Sequence, residues 1–225
     1  MKKKVVLSWS SGKDSAWALQ LLRSNPGFEV VALFTTLNQS FDRVVMHAVR
    51  RSLLELQALA IGLPLHTAFL PWPCSNQEYE VIMSRICSQY KRDGVEAVAF
   101  GDLFLQEVRD YRESQLRGTG LEPIFPLWRI PTHELAREMI VNGLRARLTC
   151  VDPRLLPGGF VGREFDLQLL AELPPQVDPC GENGEFHSFA YAGPMFTHPV
   201  SITSGETLER DSYFFTDLLP GESGS

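Results

Sequence analysis

A glycine and a lysine stand side by side in SSGKDS, residues 10–15, between an apolar run and a stretch with helical spacing. Small-residue N–H groups and serine hydroxyls at the entrance to a helix converge on a small volume near its positive end, which suits a pyrophosphate. Ser10, Ser11, Gly12 and Ser15 offer the donors and Lys13 a neutralising cation. Asp14 fits a magnesium ligand or an acid in the first helical turn. The loop is not a Walker motif, because Asp14 follows Lys13 where Ser or Thr is required and Leu7 stands in the place of the first glycine. An ordinary helix behind a glycine turn is the plainer alternative.

Two further stretches carry polar groups at short spacing. Gly101 and Asp102 close an apolar run, and Asp102 is placed to hold magnesium or nucleotide, or to complete a turn. Glu107, Arg109, Arg112 and Glu113 follow on helical spacing, where Arg109 and Arg112 at i, i+3 could grip a carboxylate or phosphate, or lace a solvated face with ion pairs. In the tail, GENGEFH sets Glu182, Asn183, Glu185 and His187 around Gly184, just after Gly181. A tight turn there would bring these polar groups together. Neighbouring carboxylates beside an anionic substrate raise each other's pKa, so one could serve as a base. A hairpin with exposed acids is the other reading.

The elements that must hold these groups alternate. Residues 3–8 are β-prone, 14–23 helical with Trp17, Leu21 and Leu22 on one side, and 29–36 form a near-continuous apolar strand. A helix is predicted over about 43–61, ended by Gly62, with His47 near its start facing the nucleotide, a cap or the core. A strand at 65–70, a helix capped by Ser75 or Asn76 and reaching about 92, a strand at 96–100, a helix over about 103–117 and a short strand at 124–127 complete the first part. Such alternation predicts an α/β doubly wound parallel sheet with right-handed crossovers. Ligands of such sheets lie beyond the carboxyl ends of the strands, which places adenine or ribose along residues 34–38, Thr35 included.

Past Trp128 the pattern loosens. A helix over about 132–142 capped by Thr132, a strand at 146–151, a short helix near 165–172 and apolar runs at 186–191, 200–203 and 213–215 predict a smaller α/β domain. The expected division is 1–130 for nucleotide binding and 131–225 for the acceptor. Trp9, Trp17, Phe34, Trp72 and Trp128 are expected to pack in the core or on the sheet.

The 225 residues are 44% hydrophobic and 21% charged, which excludes disorder as the main state. Against 21 basic residues stand 27 acidic ones, a formal charge of −6, and the basic residues cluster only at Lys2, Lys3 and Lys4, so a nucleic-acid partner is disfavoured. No apolar run is long enough to span a membrane, and a cytoplasmic location is expected. The four cysteines are far apart, with neither a CxxC pair nor zinc spacing.

SSGKDS resembles the PP-loop, SGGxDS, of the ATP pyrophosphatases, with Ser11 where that pattern has its first glycine. HAVRRSLLELQALAIGLPL (47–65), FGDLFLQEVRDYRE (100–113) and CGENGEFHSF (180–189) extend the likeness over nearly the whole chain, which resembles the diphthine-ammonia ligase family. The loop form is closer to that family's bacterial branch, where diphthine is not made, so the acceptor carboxylate stays open.

The resemblance implies a PP-loop (HUP, Rossmann-like) fold and ATP-dependent amidation. A carboxylate attacks the α phosphate, pyrophosphate leaves, and ammonia displaces AMP. It implies ATP and Mg2+ held by residues 10–15, Thr35, Gly101 and Asp102, with Asp14 and Asp102 on the metal. Lys13, Asp14, Asp102, Glu185 and His187 become the catalytic candidates, and Arg109, Arg112, Glu113, Glu182, Asn183 and Glu185 the acceptor site. The acceptor is small or protein-borne, a homo-oligomer is left open, and ammonia is expected from solution or a partner, since no N-terminal Cys nucleophile of a glutaminase stands in the sequence. Two alternatives remain: a PP-loop sulfurtransferase acting on RNA, and a non-catalytic nucleotide-binding module.

Overall fold

A computed structural model describes residues 1–38, 43–44, 49–210 and 212–221. The elements run β1 (Lys3–Ser8), α1 (Lys13–Ser24), β2 (Phe28–Asn38), β3 (Arg43–Val44), α2 (Arg51–Ile61), β4 (Leu65–Leu70), α3 (Asn76–Arg92), β5 (Ala97–Ala99), α4 (Gln106–Leu116), β6 (Glu122–Ile124), α5 (Thr132–Val141), β7 (Arg145–Val151), α6 (Leu167–Glu172), β8 (Phe186–Ala192), β9 (Ile202–Arg210) and β10 (Tyr213–Pro220). Five strands form a parallel sheet in the order β4-β2-β1-β5-β6, and β3 adds antiparallel pairing at the end of β2.

Alternating side chains of β1 feed two cores, as the strand period of two requires. Val5 and Leu7 join α1 and α2 on one face, while Val6 joins Cys87 and Tyr90 of α3 and Leu116 of α4 on the other. Helices therefore cover both faces, and the sheet is doubly wound as expected. The first core continues without a break into Leu148, Phe186 and Phe189 of a second sheet. That sheet is antiparallel, in the order β8-β7-β10-β9.

Local signals explain most element ends. Ser75 and Glu78 form a reciprocal capping box at α3, and Gly62, in the left-handed conformation at φ 75°, ends α2. Asp166 caps α6 through Leu169 N–H at 2.7 Å.

Several expectations need correction. The helix predicted from residue 43 begins at Arg51, and residues 43–44 are strand, because apolar spacing alone does not mark where a helix starts; Val45 and His47 lie outside the described residues. Thr132 is the first helical residue of α5 and not its cap, since Pro131 occupies that place with no side-chain bond. Trp72 is 66% exposed. β9 runs far beyond 203 because its residues face solvent and leave no apolar trace. Among the described residues no helix is long and apolar enough to cross a membrane.

Candidate functional site

The strand order turns at the gap between β1 and β5, with β2 and β4 on one side and β6 on the other. Loops leaving the two strands diverge there, which opens a crevice. SSGKDS leaves β1 and Gly101-Asp102 leaves β5, and the two meet. A Cβ on Gly101 would lie 3.0 Å from Ser15 N and 3.1 Å from the Asp14 carbonyl carbon. Only glycine lets the end of β5 approach α1 this closely.

Ser10, Gly12, Lys13, Asp14 and Ser15 line one side of a polar cavity of about 230 Å³, with Gly101, Asp102 and Arg112 opposite. Ser10 Oγ donates to Ser15 Oγ at 3.1 Å, and Ser15 Oγ to Gly12 O at 3.0 Å, which draws the loop into a cup. Ser11 sits behind the cup, fully buried, with φ 71° and a hydroxyl that has no hydrogen-bond partner. The position that the resemblance marks for glycine does take the left-handed conformation.

The loop has a wall the sequence did not announce. Ser11 O accepts from Gln57 Nε2 at 3.0 Å and from Ala190 N–H at 2.9 Å, and Lys13 N–H donates to Ser188 Oγ at 3.2 Å. Gln57 also donates to Ala190 O at 2.6 Å and accepts from Trp9 Nε1 at 2.9 Å. The one signal for Gln57 is a polar residue on the buried stripe of α2, among Leu53, Leu54, Ala58 and Ile61. Ser188 falls inside the CGENGEFHSF stretch but with no role read for it, and nothing in the sequence marked Ala190.

Lys13 is 2% exposed. Its ammonium bonds Asp14 Oδ2 at 2.8 Å and the Cys180 carbonyl, and lies over the rings of Phe165 and Phe186 at 5.5 and 5.2 Å. Burial is the strongest single influence and works against its charge, yet Asp14, Cys180 and Glu182 together outweigh it and hold the pKa above the ordinary lysine value. Asp14 Oδ1 and Asp102 Oδ2 are buried without hydrogen-bond partners. No set of three His, Cys, Asp or Glu side chains among the described residues converges as a metal cage. Two carboxylates with orphaned oxygens beside a phosphate cup suit magnesium, which keeps waters and takes the rest of its ligands from phosphate.

The tail turn divides its acids between two tasks. Asp178 Oδ2 accepts from Cys180 N–H and Glu182 N–H at 3.1 and 3.0 Å. Glu185, 3% exposed, accepts from Asp178 N–H, Asn183 N–H and the Asn183 side chain at 2.9, 3.0 and 3.0 Å. Glu185 and Asn183 thus bond to the turn itself and do not line the cavity. Glu182 does line it, anchored by Leu103 N–H to Oε1 at 2.8 Å. Burial first, then Asp14 and Asp102, push its carboxyl up to about 7. His187 lines the same space, and burial with Lys13 nearby brings its imidazole down to about 4, so it is neutral at pH 7.

A second, larger cavity of about 480 Å³ opens beyond Ser10, Asp102, Arg112, Glu182 and His187. Thr35 and Thr36 line it beside Phe34, Met83, Tyr90 and Val108, an apolar slot between the sheet and helices α3 and α4. Thr35 Oγ1 donates back to Trp9 O.

Arg109 and Arg112 do not share a binding face. Arg112 turns to the cavity over Phe100, at 5.1 Å, while Arg109 lies over Phe125 and Trp128, each at 4.8 Å, and bonds Glu113 at 2.7 Å. Three cysteines are buried, and burial raises the thiol pKa of each, that of Cys150 to about 12. Such thiols are poor nucleophiles.

A doubly wound sheet with a phosphate-type loop at its switch point, closed by a second sheet, defines a nucleotide-binding enzyme of the PP-loop type. The chain matches the Diphthamide synthase N-terminal domain over residues 2–123 and the Diphthamide synthase C-terminal domain over residues 131–217, and belongs to that family. It is similar to proteins named diphthine–ammonia ligase. The one from Homo sapiens is 25% identical over 222 residues, covering 88% of this chain and 82% of the relative. That from Danio rerio is 27% identical over 220 residues, covering 88% and 86%. That from Schizosaccharomyces pombe is 26% identical over 224 residues, covering 90% of this chain and 36% of a longer relative. Membership makes the chain an enzyme of the ATP-using ligase class.

Proposed function

We propose that the chain is an amide-forming ligase that adenylates a carboxylate with loss of pyrophosphate and lets ammonia displace AMP. The observation that carries this reading is the meeting of the serine-lined cup, Asp14, Asp102 and Arg112 with Glu182 and His187 around one polar cavity. A cup of donors at a helix start favours the two departing phosphates. Asp14 and Asp102 would hold magnesium, which when bound spreads the charge of the leaving pyrophosphate. The apolar slot along Phe34, Thr35 and Thr36 takes the nucleoside.

Each chain group then has a task. Gly12, Ser10 and Ser15 cradle the outer phosphates, and Arg112 meets them from the opposite wall. Lys13 neutralises the floor of the cup. Glu182, held by Leu103 N–H, takes a proton from ammonium so that free ammonia can attack the acyl carbon. Neutral His187 accepts a hydrogen bond from the incoming nucleophile. Residues 131–225 carry the acceptor side, with Glu185 and Asn183 shaping the turn.

The relatives' names specify diphthine and ammonia, so a diphthine-type carboxylate is the first acceptor to test. Full-length protein with ATP, magnesium, ammonium and a diphthine-bearing acceptor should release AMP in step with amide. Release of ADP, or of AMP in amounts that ignore ammonium, would remove the proposal. Sulfur transfer finds no support in the buried cysteines.

A further inference from the structure

The buried amide of Gln57 joins three segments that are distant in sequence. From α2 it reaches Trp9 at the end of β1, Ser11 in the loop and Ala190 in β8, with full use of both its N–H donors and its oxygen. Gln57 is 0% exposed and borders neither cavity, so it touches no substrate. A polar side chain in this setting is retained at a desolvation penalty unless each polar atom finds a partner, and here each does.

The residue it holds is the unusual one. Ser11 carries a Cβ at φ 71°, where side-chain-bearing residues are disfavoured and glycine is not. Its hydroxyl, buried and unpartnered, gives the conformation no support. Its carbonyl instead accepts two hydrogen bonds, one from Gln57 and one from Ala190 N–H, and the second partner is itself tied to Gln57 through Ala190 O. Rotation of Ser11 back to an ordinary conformation would swing that carbonyl off both donors.

We infer that Gln57 is a positioning residue that holds Ser11 in the left-handed conformation, compensating for a serine where the phosphate cup calls for glycine. The cup's shape therefore depends on a side chain in another helix, with the second sheet as the third contact. The nucleotide arm of the test rests on the proposed function; the exchange arm does not.

The experiment is a double-mutant cycle on the full chain, Gln57→Met, Ser11→Gly and the pair, read two ways. Binding of α,β-methylene ATP with magnesium gives Kd, and amide hydrogen exchange follows the segment around residues 10–15. Gln57→Met should weaken binding at least about tenfold, the equivalent of roughly 1.4 kcal/mol, and should speed exchange in the loop. In the pair, Kd and exchange should return to the values of Ser11→Gly alone, even where the melting temperature stays low. A purely structural role would leave the pair as impaired as Gln57→Met, and that result overturns the inference. So does unchanged loop exchange in Gln57→Met. Should Gln57→Met not fold, Trp9→Phe removes the N–H that fixes the amide's orientation, together with part of a buried ring beside the second cavity, so it is read by loop exchange alone, which should quicken to a lesser degree; unchanged exchange overturns the inference. Normal exchange coupling in a protein that binds no nucleotide would strike the proposed function and leave Gln57's role standing.

Discussion

Arg112 stands 3.5 Å from Asp102, Nε to Oδ2, a distance that makes an ion pair but not a hydrogen bond. Burial pushes the Asp102 carboxyl above its ordinary range and Arg112 pulls it back. Neither of the two facing atoms has a hydrogen-bond partner among the described residues.

Asp102→Asn should therefore raise the magnesium concentration needed for half-maximal α,β-methylene ATP binding by about tenfold or more, with little change in melting temperature. Calorimetric titration over a magnesium series reads this directly. An unchanged magnesium requirement would take Asp102 off the metal.

Glu182 gives the chain a pH signature. Its folded-state value of about 7 lies above the ordinary 4.5, so folding favours the neutral carboxyl. Stability falls as pH rises through that window and levels off above it. The ionised form, the one able to take a proton, grows over the same window, so amide formation should climb as stability declines. Glu182→Gln should flatten both curves between about pH 5 and 8. Hydroxylamine, already unprotonated at neutral pH, should restore turnover to that variant; failure to do so would argue that Glu182 acts elsewhere.

Lys13→Met should remove more than activity. The ammonium joins the loop to the Cys180 carbonyl and to Asp14 in a largely buried pair, Lys13 being 2% and the Asp14 side chain 26% exposed. Loss of one partner from such a buried pair costs about 3 kcal/mol, or roughly 6–12 °C in melting temperature at this size. Thermal unfolding followed by circular dichroism checks it. A variant that melts with the parent protein would mean that the tail docks without the lysine.

Glu185→Gln should loosen the turn and not the chemistry. One of its three accepted bonds would face an N–H in place of an oxygen, a change of about 1–2 kcal/mol. Exchange at Asp178 and Asn183 amides should quicken and the KM for acceptor rise, while the pH profile keeps its shape. A lost pH limb would return Glu185 to the catalytic set.

The parallel sheet was legible because parallel strands are apolar on both faces and helices repeat their stripe, and the phosphate loop because small residues and charge sit at fixed offsets from a strand. Asp102 followed from its place after β5. What could not be read is what depends on distant partners. Arg109 and Arg112 lie three residues apart on α4, yet aromatic rings at Phe125 and Trp128 claim one and Phe100 the other. Glu182 and Glu185 look alike in GENGEFH, and only Leu103 N–H and the turn's own amides separate the group that faces the cavity from the group that builds its frame. β9 was short in the reading because a solvated strand carries no alternation to find.

β8 supplies both the hydroxyl that meets Lys13 N–H and the amide that meets the Ser11 carbonyl. The first half of the chain, produced by itself, would thus expose a bare strip along β1 and α1 and a cup without its back. A split of this protein into two fragments would work only if the pieces dock in trans, and a circular permutation would succeed only at a site that spares that seam. The exposed β9–β10 hairpin offers such a site, whereas a cut between β7 and β8 would free one end of β8 and loosen that seam.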